Sequence, residues 1–261
     1  SGERRRAWPR SRAGARRART GHRGHGTVVR GGPAEEGRFA QHGHGAAGRL
    51  YHLFDRGAEI FQFEAEITDN LNRAALAGES CMVIHPGRGG CPKDEIPRRS
   101  EQLTASLDAL VPAAERIGVK LGLENMLPVH VGTLSADVRA FVDHYNSPFL
   151  GICLDTGHIL AGFSGPIGLQ DALERCLPRL AEIHLHDAPW QGPAQKIVYG
   201  QDHRPLGTGD LDILGLLDRL IEADFDGPTV FELTIEEAVA SLEVIRAIRP
   251  AALGTPAPNV L

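Results

Sequence analysis

GICLDTGHILAGF, residues 151–163, sets Asp155 and His158 at the exit of an apolar run, Ile152–Leu154, that reads as a short buried strand. Gly157 permits a sharp turn behind it. A carboxylate leaving a buried strand needs a partner or a cation, because an unpaired buried charge is costly. It can also serve as the cap of a helix that starts there. Which of the two applies depends on what the other strands carry at the same place.

From about residue 51 the chain alternates helix-like and strand-like stretches. EAEITDNLNRAALAGES (64–80) has helical spacing and runs into CMVIHPG (81–87), a strand. SEQLTASLDALVPAAERIG (100–118) predicts a helix capped by Ser100, followed by the strand VKLGLEN (119–125). SADVRAFVDHYN (135–146) is a helix before the strand FLGICLD (149–155). LQDALERCLPRL (169–180), interrupted by Pro178, precedes the strand AEIHLHD (181–187). DILGLLDRLIEADF (212–225), PTVFEL (228–233) and IEEAVASLEVIRAI (235–248) complete the series as helix, strand and helix.

This alternation predicts a parallel sheet covered by helices, either open or closed into a barrel. An open dinucleotide-binding sheet carries a GxGxxG turn after its first strand, and HPGRGG (85–90) lacks that spacing. Instead, strand after strand ends in an ionisable side chain: His85, Glu124, Asp155, His184 and Glu232. Strand ends converge on one site in a (β/α)8 TIM barrel. The expected fold is therefore an α/β TIM barrel, with no recognisable first strand at its N-terminal side.

Composition divides the chain in two. Residues 1–50 hold 12 arginines and 11 glycines against three acidic side chains, and few large apolar residues beyond Val28, Val29, Phe39 and Leu50. Such a segment cannot bury enough apolar surface to offset its ordering entropy. It is expected to be a disordered basic arm or an aberrant Arg/Gly-rich stretch, with residues 51–261 forming the catalytic barrel. The remainder carries 16 basic and 30 acidic side chains, which argues against a nucleic-acid partner. Cys81, Cys91, Cys153 and Cys176 are widely spaced and need not form a disulfide framework. No apolar run is long enough to span a membrane. These features together predict a cytoplasmic protein.

Glu124, Asp155 and Glu232 with one imidazole form a hard, oxygen-rich donor set that suits Mn²⁺, Mg²⁺, Co²⁺ or Zn²⁺. One strand-end carboxylate is usually a cap. Four successive strands each delivering a ligand type are not. In EIHLHD (182–187), His184 and His186 share one strand face, so either imidazole can point inward. The other, and Asp187, are then candidates for orienting the ligands.

VIHPG, LGLEN, CLDTGH, IHLHD, DHRPLGTGDLD and FEL resemble, in that order, the motifs of the xylose isomerase-like TIM-barrel superfamily, which includes sugar-phosphate isomerases and epimerases and the endonuclease IV family. The resemblance covers roughly residues 80–235 and extends more weakly back to residue 51. It implies a metal site of Glu124, Asp155, His184 and Glu232. It also implies substrate contacts for His158, His85 and His203, which in the nuclease branch are zinc ligands. That branch has an aspartate where this chain has Gln201, with Asp202 adjacent. YHLFDRG (51–57) faintly resembles the second-strand motif, which makes His52 a weak ligand candidate.

The resemblance implies an enzyme: a divalent-metal-dependent isomerase or epimerase acting on a sugar, sugar phosphate or related polyol ketone through an enediolate. One divalent ion (Mn, Co, Mg or Zn) is expected, with Glu124 and Glu232 as base and acid. The alternative it implies is an endonuclease IV-like phosphoester hydrolase with two or three zinc ions. A small-molecule sugar substrate is the expected partner, without nucleic acid or membrane, and homo-oligomers are compatible with this reading.

Overall fold

The computed structural model describes residues 27–28, 42–43, 60–87, 90–162, 165–192 and 200–249. Five parallel strands carry the ionisable ends: β3 (Cys81–Ile84), β4 (Lys120–Glu124), β5 (Leu150–Asp155), β6 (Leu180–His184) and β7 (Thr229–Phe231). They lie in chain order, each joined to the next by a helical crossover, as parallel pairing requires. The result is the α/β TIM-barrel fold, seen here as a curled half-barrel. Two-residue strands β1 (Thr27–Val28) and β2 (His42–Gly43) extend the sheet beyond β7 in antiparallel fashion. Residues 1–50 therefore do supply strand at these four positions. The rest of that segment, and His52, lie outside the described residues.

The helices are α1 (Ile60–Leu76), α2 (Ile96–Ile117), α3 (Ser135–Tyr145), α4 (Thr156–Leu160), α5 (Gly165–Cys176), α6 (Ile213–Glu222) and α7 (Ile235–Ile248). Ser100 is not the cap of α2. The helix begins at Ile96 with Glu95 as cap and Pro97 in the first turn, where a missing N–H costs nothing. The Glu95 carboxylate then bonds to Arg98 and Arg99, at 3.2 and 2.9 Å. Leu103, Leu107, Leu110 and Ala114 recur at helical spacing and are buried in the core with Leu121 and Leu123 of β4. Pro178 ends α5, as its missing donor predicts, and Leu177–Arg179 tightens into a 3-10 turn. Thr234 and Glu237 form a reciprocal capping box that starts α7 directly after β7.

All six residues of β5 are buried, and β5 sits between β4 and β6. Register brings Asp155 opposite His184 and Glu124 opposite Cys153. Those pairings gather the strand ends at one rim. All four cysteines are free and buried, as their spacing suggests. Among the described residues no helix is long and apolar enough to cross a membrane.

Gly157 is where the β5–α4 turn presses on the loop carrying Asp202. A Cβ built there would stand 1.8 Å from the Asp202 carbonyl oxygen and 3.0 Å from His186 Cβ. Backbone cannot yield as a flexible side chain can, so Gly157→Ala should destabilise by about 1–3 kcal/mol, the usual cost of overpacking. Thermal unfolding checks this; a melting curve superimposable on the unaltered chain would contradict the close approach.

Candidate metal centre

Glu124 ends β4, Asp155 ends β5 and His184 ends β6, and Glu232 follows β7 directly. The first three are buried, and the Glu232 side chain is 25% exposed at the mouth. His184 Nδ1 lies 3.4 Å from Glu124 Oε1, 3.7 Å from Asp155 Oδ2 and 3.5 Å from Glu232 Oε2. One ligand atom from each residue falls within 4.8 Å of the others. Yet His184 Nδ1 and Glu124 Oε1 are buried with no hydrogen-bond partner among the described residues. Four donors about 2.1 Å from a central ion in a tetrahedron stand about 3.4 Å apart. The residues fit a divalent cation: three oxygens stand at nearly that spacing from the His184 nitrogen, and all four donors lie within 4.8 Å of one another.

Asp155 answers the question its sequence position raises by doing both jobs. Its Oδ1 accepts the His158 main-chain N–H at 2.8 Å, capping α4, while Oδ2 turns toward His184. Asn125 fixes that geometry from the neighbouring strand. Its Oδ1 accepts the Asp155 N–H at 2.9 Å, and its Nδ2 donates to the Asp155 carbonyl at 3.1 Å. Sequence reasoning missed Asn125, because an amide among ionisable neighbours carries no charge signal.

The other expected residues ring this point. His85 Nε2 stands 2.8 Å from Glu124 Oε2. His158 Nδ1 lies 2.8 Å from the Asn125 carbonyl oxygen, which can only accept, so the ring proton sits on Nδ1. His158 Nε2 then faces Asp202 Oδ2 at 3.6 Å. His203 Nε2 lies 3.5 Å from Asp155 Oδ2, 3.7 Å from Asp202 Oδ2 and 3.7 Å from Glu232 Oε2. Asp202 is buried, and Gln201 instead accepts a hydrogen bond from Arg204. A carboxylate thus stands beside His158 and His203, one residue after Gln201. Asp187 faces away from this cluster. Its carboxylate accepts the N–H groups of Ala188, Gly207, Gly209 and Leu211 at 2.8–3.0 Å, folding the loop that brings in His203.

The electrostatics show a demand for positive charge. Burial alone would raise the Glu124 carboxyl, but the His85 and His184 imidazoles beside it hold it well below the usual carboxylate range. Asp155 is depressed in the same way, its burial outweighed by His158 and His186. Burial lowers His203, and Asp155 and Glu232 more than reverse this, pushing it up to about 9.

Residues 38–249 match the family model described as xylose isomerase-like TIM barrel. The chain belongs to that family. It is 34% identical over 148 residues to endonuclease 4 of Thermus thermophilus, covering 52% of this chain and 51% of that protein. It is 27% identical over 169 residues to L-ribulose 3-epimerase of a Methylomonas species, covering 63% and 53%. A solved D-tagatose 3-epimerase-like protein superimposes with a TM-score of 0.64 at 22% identity, over 77% of this chain and 73% of that one. The chain spans 39–60% of the length of the curated relatives it matches.

Removing one ligand should weaken the site without unfolding it. Asp155→Asn keeps a capping oxygen for α4, and Glu124→Gln keeps the side chain's size. Each is expected to lower bound metal at least tenfold after dialysis against Mn²⁺. Elemental analysis is the check, and full occupancy in both variants would contradict the ligand assignment.

Proposed function

We propose that the chain is a divalent-metal-dependent isomerase or epimerase of a sugar, sugar phosphate or related polyol ketone. The observation that supports it best is the convergence of Glu124, Asp155, Glu232 and His184 Nδ1 on one point, where Glu124 Oε1 and His184 Nδ1 are buried with no hydrogen-bond partner among the described residues. A cation held there supplies Lewis-acid stabilisation for charge developing on substrate oxygens. Glu124 and Glu232, on β4 and beyond β7, flank the ring of ligands and move the proton at the carbon next to the carbonyl. Their surroundings differ: Glu124 is sealed against His85, whereas Glu232 meets solvent at the mouth. Carboxylates in unlike environments can be tuned apart as base and acid. His158, His85 and His203 ring the same point, and their imidazoles are the groups that would orient substrate oxygens. The resemblance to an L-ribulose epimerase supports a sugar as substrate.

A second reading, zinc-dependent phosphoester hydrolysis, is favoured by one specific feature. With its proton on Nδ1, His158 turns a lone pair toward the Asp202 carboxylate, and His203 Nε2 is buried there without a hydrogen bond to any of the described residues. Acceptor facing acceptor is relieved by a proton or by a further cation.

Deuterium exchange separates the two. Incubating ketoses and their phosphates in D₂O with the Mn²⁺- or Co²⁺-loaded chain should label one of them at the carbon beside the carbonyl. His203→Ala should leave the number of bound ions unchanged while lowering that exchange. Absence of exchange across the panel, with cleavage of an abasic-site duplex and loss of one ion in His203→Ala, would establish the hydrolase instead.

A further inference from the structure

We propose that His186 is a positioning residue of this centre: a clamp of fixed tautomer that sets Asp155 against Glu232 and is not itself a ligand. The proposal rests on the metal reading above and concerns how the ligands are held.

His186 is fully buried, two residues beyond the end of β6. Its Nε2 lies 2.8 Å from the main-chain nitrogen of Glu232. That nitrogen can only donate, so Nε2 must be the bare, accepting atom. In a neutral imidazole the proton is then on Nδ1. Nδ1 stands 3.1 Å from Asp155 Oδ2, the oxygen turned toward His184, and donates to it. Both ring nitrogens are spent in these two bonds. Asp155, His186, His203 and Glu232 lie close enough to resemble a second cation site, but His186 has no lone pair left to offer one.

The ring is held as firmly as what it holds. Thr156 Oγ1 accepts the His186 main-chain N–H at 2.9 Å and donates to the His186 carbonyl at 2.7 Å. Asp155 and Glu232 need such a device. They come from β5 and β7, which do not pair with each other, because β6 runs between them. Ladder bonds place Asp155 against His184, but Glu232 lies past the last paired residue of β7. His186 spans that gap from above β6. One side chain thereby orients a carboxylate on one side and anchors the backbone of the next ligand on the other. Groups that orient metal ligands in this way typically change affinity 10- to 100-fold when removed.

The test is titration of Co²⁺ into the metal-stripped full chain, with visible absorption reporting both affinity and the number of ions bound. His186→Ala should bind the same number of ions as the unaltered chain, with a dissociation constant about 10- to 100-fold larger. His186→Asn keeps an amide donor near the place of Nδ1, so it should regain part of the Asp155 bond and bind more tightly than the alanine variant. Loss of a whole ion per chain in either variant would make His186 a ligand and overturn the proposal. So would affinity within twofold of the unaltered chain, or an asparagine variant no tighter than alanine. If His186→Ala fails to fold, the asparagine variant decides by the same stoichiometry and affinity criteria. No uptake of Co²⁺ by the unaltered chain would overturn the metal reading itself, an outcome told apart because that arm contains no substitution.

Discussion

Three carboxylates meeting at one point, two of them fully buried, is the constraint around which this end of the barrel is built. Two unit charges 4–5 Å apart repel by roughly 3–4 kcal/mol even at an effective dielectric near 20. Three such pairs sum to about 10 kcal/mol, the order of a whole domain's stability. Glu124, Asp155 and Glu232 can coexist only if positive charge is delivered among them. In the absence of a cation the imidazoles supply it: against the effect of burial, Cys153 and the Glu232, Glu124 and Asp155 carboxylates raise His184 well above its ordinary value, and His85 is raised beside Glu124. A divalent ion meets the same demand more compactly. The buried donor set is consistent with a divalent ion taking the place of those protons.

Everything near the centre serves to aim those charges. Asp155 is turned by its own cap on α4, by Asn125 across the β4–β5 pair, and by His186 from above β6. Asp187 spends its whole carboxylate on four backbone N–H groups, which closes the Arg204–Leu211 loop and brings His203 to the rim. Of the glycines in LGTGD, Gly207 is needed for its φ of +82° and Gly209 because the loop runs against other backbone there. A Cβ on Gly209 would sit 2.4 Å from the Ala188 carbonyl group. A motif that looks like a substrate loop is thus first a backbone-folding device.

Much of this was legible in the chain itself. The period of the apolar residues gave strand and helix, and strand ends that repeat an ionisable residue gave the rim on which they meet. A parallel barrel has only one end at which its strands exit together. What the sequence could not settle depended on geometry finer than its period. Strand alternation left His184 and His186 on one face and the motif resemblance singled out His184; hydrogen-bond direction supplies the physical reason, setting the carboxylate-facing Nδ1 of one apart from the spent ring of the other. Ser100 looked like a cap because serine so often is, yet Pro97 and the Glu95 ion pairs start the helix sooner. Asp202 was displaced by one position from where the motif places an aspartate, and only folding shows that its loop delivers the carboxylate all the same.

The claim on which the rest depends is that one cation sits among Glu124, Asp155, His184 and Glu232. Crystals of the chain soaked in Zn²⁺, with anomalous differences collected at the zinc edge, test it most directly. The account predicts the strongest peak about 2.0–2.2 Å from one oxygen of each carboxylate and from His184 Nδ1. A strongest peak among His158, Asp202 and His203, with none between the four strand-end ligands, would contradict it.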